Sequence, residues 1–194
     1  MIVVAVIFGD VSCTDQSIND YPQAIKLDPT DADAYYNRGN AYNNRGVAYA
    51  ALGQYPEAIL DYTRAIRLDP NHLYAYNNRG VAYAALRQYP EAIHDYNQAI
   101  EVYSTDMHAY FNRGLSWFEL GEYKQAIWNY NQVIEFGLGD SDVYFSRGLA
   151  NEMLGKYTYA LSDFDQALRL DSSNELARSG KKRVNGILLD EKKS

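Results

Sequence analysis

Three histidines, His72, His94 and His108, and a single cysteine, Cys13, are the side chains of this 194-residue sequence best suited to bind a metal or serve a nucleophile. They lack the short, paired spacing that brings two donors onto one ion, so no metal site follows from them. The carboxylate pairs Asp31 with Asp33 and Asp140 with Asp142 stand where helices are expected to begin. A negative charge there complements the helix dipole, which explains these pairs without general acid–base work. No glycine-rich phosphate loop follows a strand, and no nucleophile elbow occurs. The expectation is a non-enzymatic chain with no catalytic residues, cofactor or metal. With one cysteine no internal disulfide forms, which suits a reducing compartment and a cytoplasmic location.

The polar residues that do recur at fixed intervals are arginines. Arg45, Arg79, Arg113 and Arg147 stand 34 residues apart, and sixteen residues after them come Asp61, Asp95, Asn129 and Asp163. The expected chemistry is structural ion pairing, with Arg113 facing a neutral carboxamide. Exposed pairs of this kind contribute about 0–1 kcal/mol.

The elements that must position these pairs are written in the same register. Asn43–Ile66 and Asn77–Ile100 differ at four positions, offset by 34 residues, and two looser copies follow. A fixed period of 20–50 residues signals stacked supersecondary units rather than one globular core. Gly46, Gly80, Gly114 and Gly148 share one column; Tyr49, Tyr83 and Trp117 share another, broken by Asn151; Leu52, Leu86, Leu120 and Leu154 share a third. Spaced three and six residues from each glycine, these columns lie on one face of a helix. Tyr55, Tyr89, Tyr123 and Tyr157, then Ala58, Ala92, Ala126 and Ala160, then Tyr62, Tyr96, Tyr130 and Phe164, mark a second amphipathic helix. A mid-helix glycine costs about 1 kcal/mol relative to alanine, so its recurrence calls for a bulky neighbour, expected from the aromatic column of the second helix. Gly53, Gly121 and Gly155 suit the left-handed residue that ends the first helix, and Pro56 and Pro90 suit the first turn of the second. Arg87 occupies that inter-helix glycine column.

These columns, closed by Asp69-Pro70-Asn71, resemble the tetratricopeptide repeat over nearly the whole chain. The resemblance implies an all-α, right-handed superhelical solenoid of antiparallel helix pairs. The expected organisation is a degenerate N-terminal repeat over 1–31, repeats over 32–72, 73–106, 107–140 and 141–174, and a C-terminal capping helix with a basic tail over 175–194. The apolar start, Met1–Phe8, is about ten residues too short to span a bilayer. A vestigial targeting segment is the alternative reading of residues 1–31. The unit 32–72 carries seven extra residues, visible as Ala34–Tyr42 echoed by Ala41–Tyr49. Because seven residues drift only about 20° on a helix, one long helix over 32–52 is expected, a loop near 39–43 being the rival. Helix caps are expected at Thr30, Asn71, Thr105 and Ser173. Phe136-Gly137-Leu138-Gly139, with its two glycines, is the expected hinge.

The net charge is −7, with +3 on residues 175–194 and −10 on those before. Such an acidic body does not suit nucleic acid. What remains is surface on the first helix of each unit: Asn77, Asn78 and Val81; Phe111, Asn112, Leu115 and Phe118; Phe145 and Leu149. The resemblance implies that these line a concave groove holding a peptide or helix of a partner protein, the chain acting as an adaptor or scaffold. A co-chaperone or assembly factor is the alternative, although the lysines that would hold an acidic C-terminus are missing. A targeting fragment of a larger enzyme and self-association through the array ends are further readings. Trp128 falls in a variable column expected to face outward.

Overall fold

The computed structural model describes residues 32–191, and before them Pro22, Lys26 and Leu27. From residue 32 the chain is helical throughout: α1 (Ala32–Ala51), α2 (Tyr55–Leu68), α3 (Leu73–Ala85), α4 (Tyr89–Val102), α5 (Met107–Glu119), α6 (Tyr123–Glu135), α7 (Ser141–Met153), α8 (Tyr157–Leu170) and α9 (Glu175–Glu191). It forms two compact units, Met1–Ser104 and Thr105–Ser194. The first holds α1–α4 and the second α5–α9. Within them the helices pair as α1 with α2, α3 with α4, α5 with α6, and α7 with α8. Among the described residues there is no strand, and no helix is long and apolar enough to cross a membrane.

Each pair is locked by a glycine under an aromatic ring. A methyl group at Gly46, Gly80 or Gly114 would stand 2.6 Å from Cε1 of Tyr62, Tyr96 or Tyr130, and at Gly148 2.7 Å from Cε1 of Phe164. These rings are at most 1% exposed. A tyrosine edge on a bare backbone fixes the register of the two helices.

The turns between paired helices share one closure. Gly53, Gly121 and Gly155 have φ of +74°, +78° and +69°, and Arg87, in the same column, has φ of +59°. The next N–H reaches back to the helix, as in Gln54 to the Tyr49 carbonyl at 2.9 Å and Gln88 to that of Tyr83 at 2.9 Å. This is the left-handed helix stop that an L-residue adopts only with strain.

The expected cap positions are corrected by the structure. The helix caps lie one residue later than Asn71, Thr105 and Ser173: His72 Nδ1 accepts from the Ala75 N–H at 3.3 Å, Asp106 from His108 at 3.0 Å, and Asn174 from Ala177 at 2.9 Å. At α7 the same place is taken by Asp140, which accepts from Val143 at 2.9 Å. Asn71 and Ser173 are held in turns instead, their N–H groups donating to Asp69 and Asp171 at 2.9 Å. Thr30 lies outside the described residues. Gly137 and Gly139, the expected hinge between repeats, lie inside the second unit. Gly137, at φ +77°, stops α6, and a methyl group at Gly139 would lie 2.9 Å from Ile134 and 3.1 Å from Tyr144. The single long helix expected for the duplicated stretch is present: the seven extra residues sit within one 20-residue helix, α1, and residues 39–43 do not loop out. A methyl group at Gly46 would meet Tyr62 and one at Gly39 would lie 3.6 Å from Leu68 Cβ, so the duplicated turns continue along α2 in the antiparallel sense.

In the second unit α9 packs on α8 and α7. Ala177 and Val184 join Ala160, Phe164 and Ala167 in a fully buried cluster, and Gly180 meets the tip of Phe164. By the 34-residue register α9 is another first helix, with Arg178 and Lys182 replacing Tyr144 and Gly148, while Lys181 keeps the charge of Arg147 and Asn185 repeats Asn151. The side that faces a second helix in the other repeats is therefore more polar in α9.

Candidate functional site

The arginine column is a set of staples. Arg79 donates from Nε and Nη2 to the two carboxylate oxygens of Asp95, each at 2.7 Å, and from Nη1 to Thr63 Oγ1 at 3.0 Å. It thereby ties α3 both to its own partner, α4, and to the preceding α2. Arg147 repeats the pattern, donating to Asp163 at 2.6 Å and to Asn131 at 2.7 Å. Arg45 grips Asp61 at 2.6 and 2.9 Å. The pairing anticipated from the sequence is present, and it is buried rather than superficial: Asp61 and Asp95 are 1% exposed. Burial alone would lower the pKa of Arg79, but the hydrogen bond and charge of Asp95 hold it above its ordinary value. Arg113 donates to Asn129 Oδ1 at 2.8 Å; here burial wins and the pKa is lowered, with Tyr110 opposing. These groups consolidate the hairpins.

The nine residues expected to contact a partner are all half-buried. In the first unit Asn77, Asn78 and Val81 lie on α3, and Asn78 donates to the Asn43 Oδ1 at 3.2 Å, joining α3 to α1. Asn43 in turn lies 3.5 Å from the Asn44 carboxamide oxygen. Asn43, Asn44 and Val47 stand 34 residues before Asn77, Asn78 and Val81. The sequence-based set omitted them, although the repeat register alone would have found them.

In the second unit Phe111, Asn112, Leu115 and Phe118 lie on α5, and Phe145 and Leu149 on α7. Three of these rings are braced from within their own hairpins: Phe111 by Tyr130 with centroids 5.9 Å apart, Phe118 edge-on to Tyr123 at 5.2 Å, and Phe145 by Phe164 at 6.1 Å. Phe145 and Leu149 also pack against the buried cluster that α9 completes. Beyond Leu149, Arg183 of α9 donates to Glu152 of α7 at 2.5 and 2.7 Å. The result is apolar surface that is partly exposed and, at its three rings, packed against neighbouring aromatics. Trp128 is 48% exposed, with its ring 6.0 Å from Tyr110 and 5.6 Å from the Arg113 guanidinium.

Residues 40–72 and 73–106 each match the family model for the tetratricopeptide repeat, and residues 14–46 match a second model, the TPR repeat. Both models claim residues 40–46, which lie inside the duplicated stretch. Among solved structures, YrrB, described as a TPR protein with an unusual peptide-binding site, is 24% identical with a TM-score of 0.70, over 89% of this chain and 85% of its own. MamA is 26% identical with a TM-score of 0.66, over 87% of this chain and 99% of its own. A tetratricopeptide repeat protein from Parabacteroides merdae is 18% identical with a TM-score of 0.72, over 92% of this chain and 68% of its own. These likenesses agree on an all-α helical-repeat fold. None of the curated proteins matches the chain.

Proposed function

Because the chain is a tetratricopeptide-repeat protein, whose fold is a scaffold for protein–protein interaction, we propose that it is a non-enzymatic adaptor that holds a peptide or helix of a partner on its first helices. Asn77, Asn78 and Val81 form the contact surface of the first unit. Phe111, Asn112, Leu115, Phe118, Phe145 and Leu149 form that of the second. The observation that carries this reading is the half-burial of five large apolar side chains in the second unit, on helices whose other faces are packed. Fixed apolar surface beside carboxamides suits an extended guest: apolar side chains find pockets, and the carboxamides bond its backbone. Because the receiving rings are already braced, most of the ordering cost falls on the partner. YrrB, described as having a peptide-binding site, supports the assignment by analogy.

The test is a pull-down from source lysate with the wild-type chain beside Val81→Ser, Leu115→Ser, Phe118→Ser. Phe111 and Phe145 are left in place because their rings pack on the fully buried Tyr130 and Phe164, whereas Tyr123, the neighbour of Phe118, is itself only half-buried. With equal helicity by circular dichroism, a protein retained by the wild type and lost by the variant is the expected result. Equal retention by both would remove the first-helix surface from consideration.

A further inference from the structure

Among the described residues Arg87 is the one non-glycine residue with positive φ, at +59°, in the turn that joins α3 to α4. The turn itself does not call for an arginine. Asn43–Ile66 and Asn77–Ile100 differ at four positions, and their turns close through the same bond, Gln54 to Tyr49 and Gln88 to Tyr83, each at 2.9 Å. Gly53 closes the first of these turns without strain, so the arginine at the second opposes folding. The side chain does not recover that loss inside the protein. Arg87 is exposed, and among the described residues its guanidinium has no hydrogen bond, ion pair or ring contact; only its backbone N–H is engaged, donating to the Ala84 carbonyl at 2.9 Å. The dipole of α3 attracts a cation only weakly at so exposed a position. A backbone outlier that packing does not demand points to a contact outside the chain.

We infer that Arg87 reads an acidic side chain of the guest proposed above for the first helices, an inference that rests on that reading. Arg87 follows the helix that presents Asn77, Asn78 and Val81. It stands six residues beyond Val81, about 9 Å along a helix axis, and Ala84 and Ala85, between them on the same face, are small. A guest lying on Val81 therefore comes within reach of the guanidinium. The other contact residues of this unit, Asn77, Asn78 and Val81, are uncharged, so Arg87 sets the charge preferred at that end. Its planar guanidinium matches the two oxygens of an aspartate or glutamate with paired N–H donors. The strain is borne by the free protein, and the ion pair that answers it forms only in the complex.

The test is an array of C-terminally amidated octapeptides of Leu, Phe, Ser and Ala, with one Glu moved through every position and each peptide set beside its Gln counterpart. It is probed with the full-length chain. Wild type should hold the Glu peptides of one register about three- to fivefold more strongly than the Gln peptides, and the preference should vanish in about 1 M NaCl. Arg87→Gly should hold both kinds alike while melting higher than wild type, so the lost preference is not lost folding. Equal retention of Glu and Gln peptides by wild type, or a preference that survives in Arg87→Gly, overturns the inference and leaves the first-helix surface standing. Peptides held by none of these proteins, or held equally by Val81→Ser, Leu115→Ser, Phe118→Ser, overturn the surface reading and this inference with it.

Discussion

At Gly80 an added methyl group would lie 2.6 Å from Cε1 of Tyr96, a ring that is 1% exposed and has no free direction in which to move. Alanine normally stabilises a helix by about 1 kcal/mol over glycine, so the sign of Gly80→Ala separates propensity from packing. The expected outcome is a loss of about 1–3 kcal/mol in chemical denaturation, as for other overpacked cores. Arg87 gives the opposite case. Its φ of +59° is the strained value that glycine adopts freely at 53, 121 and 155. Arg87→Gly should therefore gain about 1 kcal/mol, read as a higher denaturation midpoint at unchanged slope. Both positions were legible in the sequence because the contacts that constrain them lie at a constant offset inside one hairpin. Spacing alone could not tell how far Phe111 and Phe145 are committed to Tyr130 and Phe164 rather than to solvent.

Helix starts show how local competition defeats a reading that periodicity otherwise supports. Thr105 and Asp106 are both able to cap α5, and only the backbone decides that Asp106 does so. At α3 the cap is His72, in the column filled elsewhere by Asp106, Asp140 and Asn174. Its Nδ1 must be unprotonated to accept the Ala75 N–H, and its Nε2 is buried without a hydrogen-bond partner among the described residues. Burial lowers the His72 pKa, outweighing the pull of Asp69 in the other direction. The unfolded chain then binds a proton more readily than the folded one. Stability from this group is complete above the unfolded histidine pKa, near 6.5, and falls as the pH drops through the lower folded value. His72→Asp, which copies the sister repeats, should flatten the decline of Tm between about pH 6.5 and pH 5. An acid limb as steep as that of the wild type would count against His72 as its source.

On the scale of the whole molecule, the second unit ends where α9 covers Phe164, which is 0% exposed. Ending the chain at residue 174 would uncover that ring together with Ala160 and Ala167, a loss of roughly 1.5–3 kcal/mol for the phenyl group alone. A fall in Tm of at least ~5 °C is expected by circular dichroism, with concentration-dependent light scattering from the newly bared face. An unaltered melting curve would show that α9 contributes little beyond charge. The staples and ring-under-glycine contacts have another consequence, at the level of the gene. Each joins residues sixteen apart, so excising any 34 consecutive residues across the near-identical copies 43–66 and 77–100 brings an equivalent partner to every severed contact. Unequal recombination between the two coding copies would shorten or lengthen the array by a whole repeat without breaking a hairpin. The seven-residue echo in α1, two helical turns long, is the kind of slip that the same tolerance lets survive.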